Sequence, residues 1–184
     1  MKFLLKSLPL LIISFAFFQG CDKTDNPASA STLQTSNGFS FVINGGEYKN
    51  KTVTITSPAS DSIGAVYFTN KDTTAIVLSG KIDTTTFNLV LTFKGKQAKT
   101  IAMDSTVFES DPVVLLESPT VFALYVGING TTNVDTYGSV GEFVSGRFSG
   151  TFTGVRFSTT GLDTVRATIS NGIFSARRLA DRLK

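Results

Sequence analysis

From Gly38 onward the chain reads as short runs in which apolar and polar residues alternate. Phe39, Phe41 and Ile43 alternate with Ser40 and Asn44, and Val53 and Ile55 alternate with Thr52, Thr54 and Thr56. A period of two places one side-chain face of a strand in a core and the other in solvent. Between these runs, Asn44-Gly45-Gly46 supplies the positive φ values that a tight hairpin requires. Further runs are predicted at Ser62–Thr69, Thr74–Ser79, Thr86–Phe93, Thr100–Met103, Val113–Glu117, Thr120–Gly127, Phe143–Phe157, Thr164–Ser170 and Ile173–Arg177, and nearly every gap holds Gly, Pro, Asn, Asp or Ser. Short strands broken so regularly by turn residues predict an all-β domain, an antiparallel β-sandwich with a β-barrel as the alternative. Threonine suits the exposed faces, because β-branched side chains pack well on a pleated surface. Helical spacing is confined to Ala176–Leu183, where a short C-terminal helix is expected.

The most specific stretch is Val144–Gly154 (VSGRFSGTFTG). One face reads Val, Gly, Phe, Gly, Phe, Gly, and the other reads Ser, Arg, Ser, Thr, Thr. Glycine inside a strand marks a bend or a close approach. Phe148 and Phe152 are therefore expected in the core, with the glycines admitting neighbouring rings, in preference to a ligand-stacking platform. The outcome expected is one long, bent strand.

Upstream of Gly38 the pattern is different. Lys2 and Lys6 precede an uncharged apolar run, Leu8 to Phe18, which gives way to Gly20-Cys21-Asp22 and a polar stretch. This order matches a tripartite signal peptide, and a small residue before a lone cysteine resembles a bacterial lipoprotein cleavage site. Gly20 and Cys21 fit that site, whereas Phe18 and Gln19 depart from its usual Leu and small residue. An unmodified thiol beside an ordinary signal-peptidase site is the alternative. The apolar run is too short for the ~20 residues that cross a bilayer core. The expected organisation is a leader over 1–20, a lipidated Cys21 with a disordered tether over 21–37, and a single β-domain over 38–184. Asp22–Asn37 contains one large apolar residue, Leu33, and flexible-coil scaling gives it a reach of about 20 to 24 Å.

Charge follows from that organisation. The chain has 17 basic and 14 acidic residues, but two of the lysines belong to the leader, so the remainder is close to neutral. A basic stripe for nucleic acid is not supported. Arg177, Arg178, Arg182 and Lys184 cluster at the C-terminus and are read as a solvated tail. With one cysteine, no disulfide can form within a chain.

The segment GEFVSGRFSGTFTGV, followed by TVRATIS, an Asn171-Gly172 turn and IFSARR, resembles the ending of small uncharacterised Bacteroidota-type cell-envelope lipoproteins, which also begin with a leader, a lipid cysteine and a polar tether. The similarity covers the leader and roughly the last 40 residues. It implies an all-β envelope protein, carrying a fatty-acyl (palmitate-type) anchor, in the outer membrane, and brings no catalytic residues. Asp22-Lys23-Thr24-Asp25 hints at the acidic signal that directs such proteins to the outer surface.

Candidate chemistry is sparse. The absence of histidine removes the usual general base of a hydrolase and the commonest zinc ligand. A carboxylate-based hydrolase needs only two suitably spaced acids. Asp104, Glu109, Asp111 and Glu117 are the nearest set, read first as solvated turn residues. Asp104, Glu109 and Asp111 are also the only calcium candidates, without the spacing of an EF-hand loop. No catalytic, cofactor or metal site is assigned. Tyr67 and Tyr125 lie in apolar strands and are expected in the core, while Tyr48 and Tyr137 flank turns and are the possible ligand contacts. The expected function is a non-catalytic, membrane-anchored envelope protein that binds a protein or glycan partner, with a carboxylate hydrolase or a structural assembly subunit as alternatives.

Overall fold

The computed structural model describes residues 36–57, 63–104 and 111–183. Ten strands account for almost all of them: β1 Gly38–Gly45, β2 Tyr48–Thr56, β3 Gly64–Phe68, β4 Thr73–Ile82, β5 Thr85–Lys94, β6 Lys99–Asp104, β7 Val113–Glu117, β8 Val121–Tyr137, β9 Phe143–Ser158 and β10 Gly161–Arg177. They form one sheet in the order β2-β1-β10-β9-β8-β7-β5-β4-β3, with β6 on β8 beside β7. Each of these ladders is antiparallel.

The sheet is not closed into a barrel, and it curls so that β2 lies against β4. A Cβ on Gly80 would sit 2.3 Å from the Ile55 Cγ2 methyl, and the Ser79 amide donates to Ser57 Oγ at 2.9 Å. The sequence pattern thus gives the expected all-β, sandwich-like architecture. The core between the facing parts holds Phe39, Phe41, Phe87, Phe93, Phe148, Phe152 and Phe174, all nearly inaccessible. Phe39 stacks on Phe41 with ring centroids 6.0 Å apart, and Phe41 meets Phe148 edge-on at 6.1 Å.

The alternating glycines of β9 are close approaches, as expected, but mainly to backbone, and only Gly146 also admits a ring. A Cβ on Gly146 would lie 2.0 Å from the Asn133 carbonyl oxygen and 2.7 Å from the Phe174 ring, and one on Gly154 would lie 1.7 Å from the Leu124 carbonyl oxygen. The first glycine admits both a neighbouring backbone and an aromatic ring, the second a backbone alone.

Several boundaries differ from the sequence pattern. The run at Thr120–Gly127 continues to Tyr137, because β8 is long enough to take β7 on residues 122–126 and β6 on residues 129–134, end to end. The two runs on either side of Asn171-Gly172 are a single strand: Asn171 has φ 52° and the register with β9 slips between Ile169 and Gly172, which is a bulge and not a turn.

No helix occurs among the described residues, and the one expected over Ala176–Leu183 is replaced by extended chain. Ala65 pairs with Arg178 and Phe68 with Arg182 in isolated parallel bridges, and the Leu179 and Arg182 amides donate to the Ala65 and Tyr67 carbonyls. The free edge of β3 takes up the backbone groups that a helix would have satisfied internally. The solvated-tail reading fails for Arg178, while Arg177 and Arg182 are exposed and Lys184 lies outside the described residues. Arg178 is buried, donating to the Leu179 carbonyl and to Asp181, with its guanidinium carbon 5.5 Å from the Tyr137 ring centroid.

Asn37, assigned to the tether, is likewise buried: its Oδ1 accepts from the Arg177 amide at 2.6 Å. Asn37 therefore belongs with the β-domain and not with the tether. Cys21, with the rest of residues 1–35 to which the leader and tether are assigned, lies outside the described residues.

Candidate functional site

The strands run between two unlike ends. At one, the chain enters β1 at Gly38, which is paired with Ser175. At the other, the β1–β2 hairpin turns through Gly45 (φ 127°) and Gly46 (φ 62°), beside the start of β10 and the end of β9. Polar side chains converge at this second end. Arg156 of β9 lies opposite Asp163 of β10 across the ladder and donates to it from Nη2 at 3.1 Å, while its Nη1 reaches Glu47 Oε2 of the hairpin at 3.3 Å. One guanidinium thus holds two carboxylates from three strands' worth of chain, and its own Nε is buried with no hydrogen-bond partner.

Two tyrosines complete the cluster. Tyr48 is half-buried, and burial, followed by the adjacent Glu47 carboxylate, raises its phenol above the ordinary value. Tyr125 is fully buried beneath the hairpin, its hydroxyl 3.3 Å from where a Gly46 Cβ would sit, and burial raises its phenol as well. Both phenols therefore remain neutral hydrogen-bonding groups at neutral pH, set against an arginine and two acids. Such a mixture suits polar recognition. It is not a free pair of carboxylates, since Glu47 and Asp163 are both engaged by the same arginine.

The sequence candidates are distributed as follows. Tyr48 lies in this cluster. Tyr137 is at the opposite end, half-buried and committed to packing: its hydroxyl is 2.8 Å from Thr74 Oγ1 and its ring meets Phe93 edge-on. Tyr67 and Tyr125 are buried, and Tyr67 donates to Asp72 at 2.7 Å beneath the Lys96 ammonium. Glu117 is exposed at the end of β7. Glu109 lies outside the described residues.

Asp104 is exposed, but Asp111 is not a solvated turn residue. It is 2% accessible, and its Oδ1 accepts the Asp104 amide at 3.0 Å, fastening the end of β6 to the start of β7 where the two meet along β8. Its Oδ2 is buried without a partner, and desolvation raises its carboxyl above the usual range. Among the described residues, no group of three or more Asp, Glu, His or Cys side chains is placed to hold a metal ion.

A group whose folded-state pKa is raised loses stability as pH rises through that value. Asp111→Asn, which keeps the acceptor for the Asp104 amide, is therefore expected to make the domain more stable at neutral pH and to flatten this part of its pH profile. Urea denaturation near neutral and mildly acidic pH checks the sign. A loss of stability at neutral pH would overturn this expectation, and a calcium-dependent rise in the melting temperature of wild type that the variant lacks would make Asp111 a metal ligand.

Sequence reasoning did not single out Glu47, Arg156 and Asp163. The pairing of Arg156 with Asp163 was available from a hairpin centred on Thr159-Thr160; the arrival of Glu47 depends on β1 lying beside β10, which no local signal gives. The chain matches no protein-family model, and no curated protein or solved structure is significantly similar to it.

Proposed function

We propose that the protein is a non-catalytic lipoprotein of the bacterial cell envelope, anchored through Cys21 to the outer membrane, whose far end binds a protein or glycan partner. The observation that carries this reading is the Glu47–Arg156–Asp163 cluster with Tyr48, at the end of the strands opposite the point where the chain enters β1. A lipid on Cys21 would leave that end facing away from the bilayer. Half-buried tyrosine beside charged groups offers contact area at low entropic cost together with hydrogen bonds. The engagement of both carboxylates by Arg156 argues against using them as an acid–base pair.

Two measurements test the two halves of the proposal. Labelling with a radioactive fatty acid is expected to mark the wild-type chain and not Cys21→Ser; equal label in both, or none in either, removes the anchor. Retention of envelope components by the purified full chain is expected to fall on Tyr48→Ala and Arg156→Ala. Identical retention by wild type and both variants would remove the site.

A further inference from the structure

The two ends of the sheet differ in charge. At the end where the chain enters β1 lie the β3–β4, β5–β6 and β8–β9 turns and the C-terminal strap. They are fixed together by the Phe68–Arg182 bridge, the Lys96–Asp181 ion pair and the hydrogen bond from the Gly141 amide to the Arg178 carbonyl. These segments and the strand ends leading into them carry seven cations and three carboxylates, whereas the rest of the described residues carry six and seven.

The three carboxylates at the basic end are already engaged. Asp181 is held by Lys96 and Arg178, Asp72 accepts from the Tyr67 hydroxyl, and Glu142 accepts from the Ser139 amide. The exposed Lys71, Lys94 and Arg177 and the half-buried Lys99 form no ion pair among the described residues. Lys94 and Lys99 donate instead to the backbone carbonyls of Lys71 and Lys94. β9 alone spans about 50 Å between the two ends, against a Debye length of about 8 Å at physiological salt, so the positive end acts on its surroundings by itself.

We propose that this end of the domain rests on a bilayer that carries anionic phospholipid. The contact needs no lipid on Cys21 and so stands apart from the anchor proposed above. The sign of the charge selects an anionic surface, and two further observations select a bilayer. Val140 of the β8–β9 turn and Leu183 of the strap, exposed by 60% and 84%, stand at the same end. Apolar side chains among cations gain from the acyl boundary of a membrane, and a soluble polyanion offers them nothing. The chain also reaches β1 at this end, after 35 residues that include the uncharged apolar run Leu8 to Phe18. Each basic residue held at an anionic leaflet raises partition about fivefold, which makes the contact reversible and sensitive to salt.

Vesicle titration of the full chain tests this in a Cys21→Ser background, which removes the only native thiol. An environment-sensitive fluorophore is attached at Val140→Cys or, at the far end, at Thr84→Cys in the β4–β5 turn. On mixed phosphatidylglycerol and phosphatidylcholine vesicles the label at position 140 is expected to brighten and shift to the blue, and the label at position 84 to stay as it is in buffer. Vesicles of phosphatidylcholine alone should leave both as in buffer. Adding Lys71→Gln and Lys94→Gln should lower the lipid affinity read at position 140 on the order of 20-fold, while Lys49→Gln and Lys81→Gln, toward the other end, should leave it unchanged.

No response at position 140, an equal response at position 84, or an equal response on phosphatidylcholine overturns the proposal. An affinity that ignores Lys71→Gln and Lys94→Gln, or that falls equally with Lys49→Gln and Lys81→Gln, overturns it too. So does the same change in emission on inorganic phosphate without vesicles, which would mark an ion site. Fatty-acid labelling of the wild-type chain is read separately, so the anchor and this contact can each fail while the other stands.

Discussion

Phe148→Ala and Phe152→Ala are each expected to lower the unfolding free energy by about 3 to 5 kcal/mol, the cost of deleting a buried aromatic and leaving a cavity. Both rings are essentially inaccessible, and Phe148 packs edge-on against Phe41 from the other side of the core. Relaxation around either site is limited: Gly172 already lies so close that a Cβ there would be 2.2 Å from the Phe148 carbonyl oxygen, so β9 and β10 have no slack to move inward. Phe157 serves as the control. It is on the same strand, on the opposite face and half-exposed, so Phe157→Ala should cost about 1 kcal/mol or less in the same denaturation experiment. Equal losses for Phe148→Ala and Phe157→Ala would mean that the two faces of β9 are wrongly assigned.

Asp181→Ala is expected to cost on the order of 3 kcal/mol, because it removes the carboxylate of a buried arginine and leaves that charge uncompensated. Arg178 is 3% accessible, and Asp181 accepts from it while also pairing with Lys96 at 2.7 Å. These two hydrogen bonds, Lys96 first, hold the Asp181 carboxyl below the usual carboxylate range. A depressed folded-state pKa contributes stability that is complete above the ordinary carboxylate value and is lost as pH falls through the depressed one. The gap between wild type and Asp181→Ala should therefore be largest at neutral pH and close as pH falls below the ordinary carboxylate range. A gap independent of pH would assign the loss to packing of the strap and not to the ion pair.

The strands with a strict alternation were legible because the period of two reports burial directly: Phe39, Phe41 and Ile43, and likewise Phe148 and Phe152, lie where the pattern places them. What escaped the pattern was set by partners distant in the sequence. Residues 128–137 carry Asn, Gly, Thr and Asp in a mixture that locally favours a loop, yet ladders on both sides make them strand. Arg178 looked solvated because charge is normally exposed; it is buried because Asp181, three residues on, and Tyr137 accompany it. For the same reason Tyr48 could be proposed as a contact residue while its neighbours Arg156 and Asp163 could not. Their convergence needs β1 seated against β10, a pairing across most of the chain.

That pairing also fixes the order in which the fold can be completed. As the polypeptide is made, β1 first has only β2 to bind, and its second neighbour is the last strand synthesised. The edge of β3 must wait longer still, for Leu179 and Arg182 within the final handful of residues. Contacts separated by nearly the full length of a chain close slowly. Until β10 is available, β1 keeps one of its two edges without the partner it has in the folded sheet. Any chain that stops before residue 178 strips the β3 edge of the partners it has here, and leaves a raw strand edge for other chains to find.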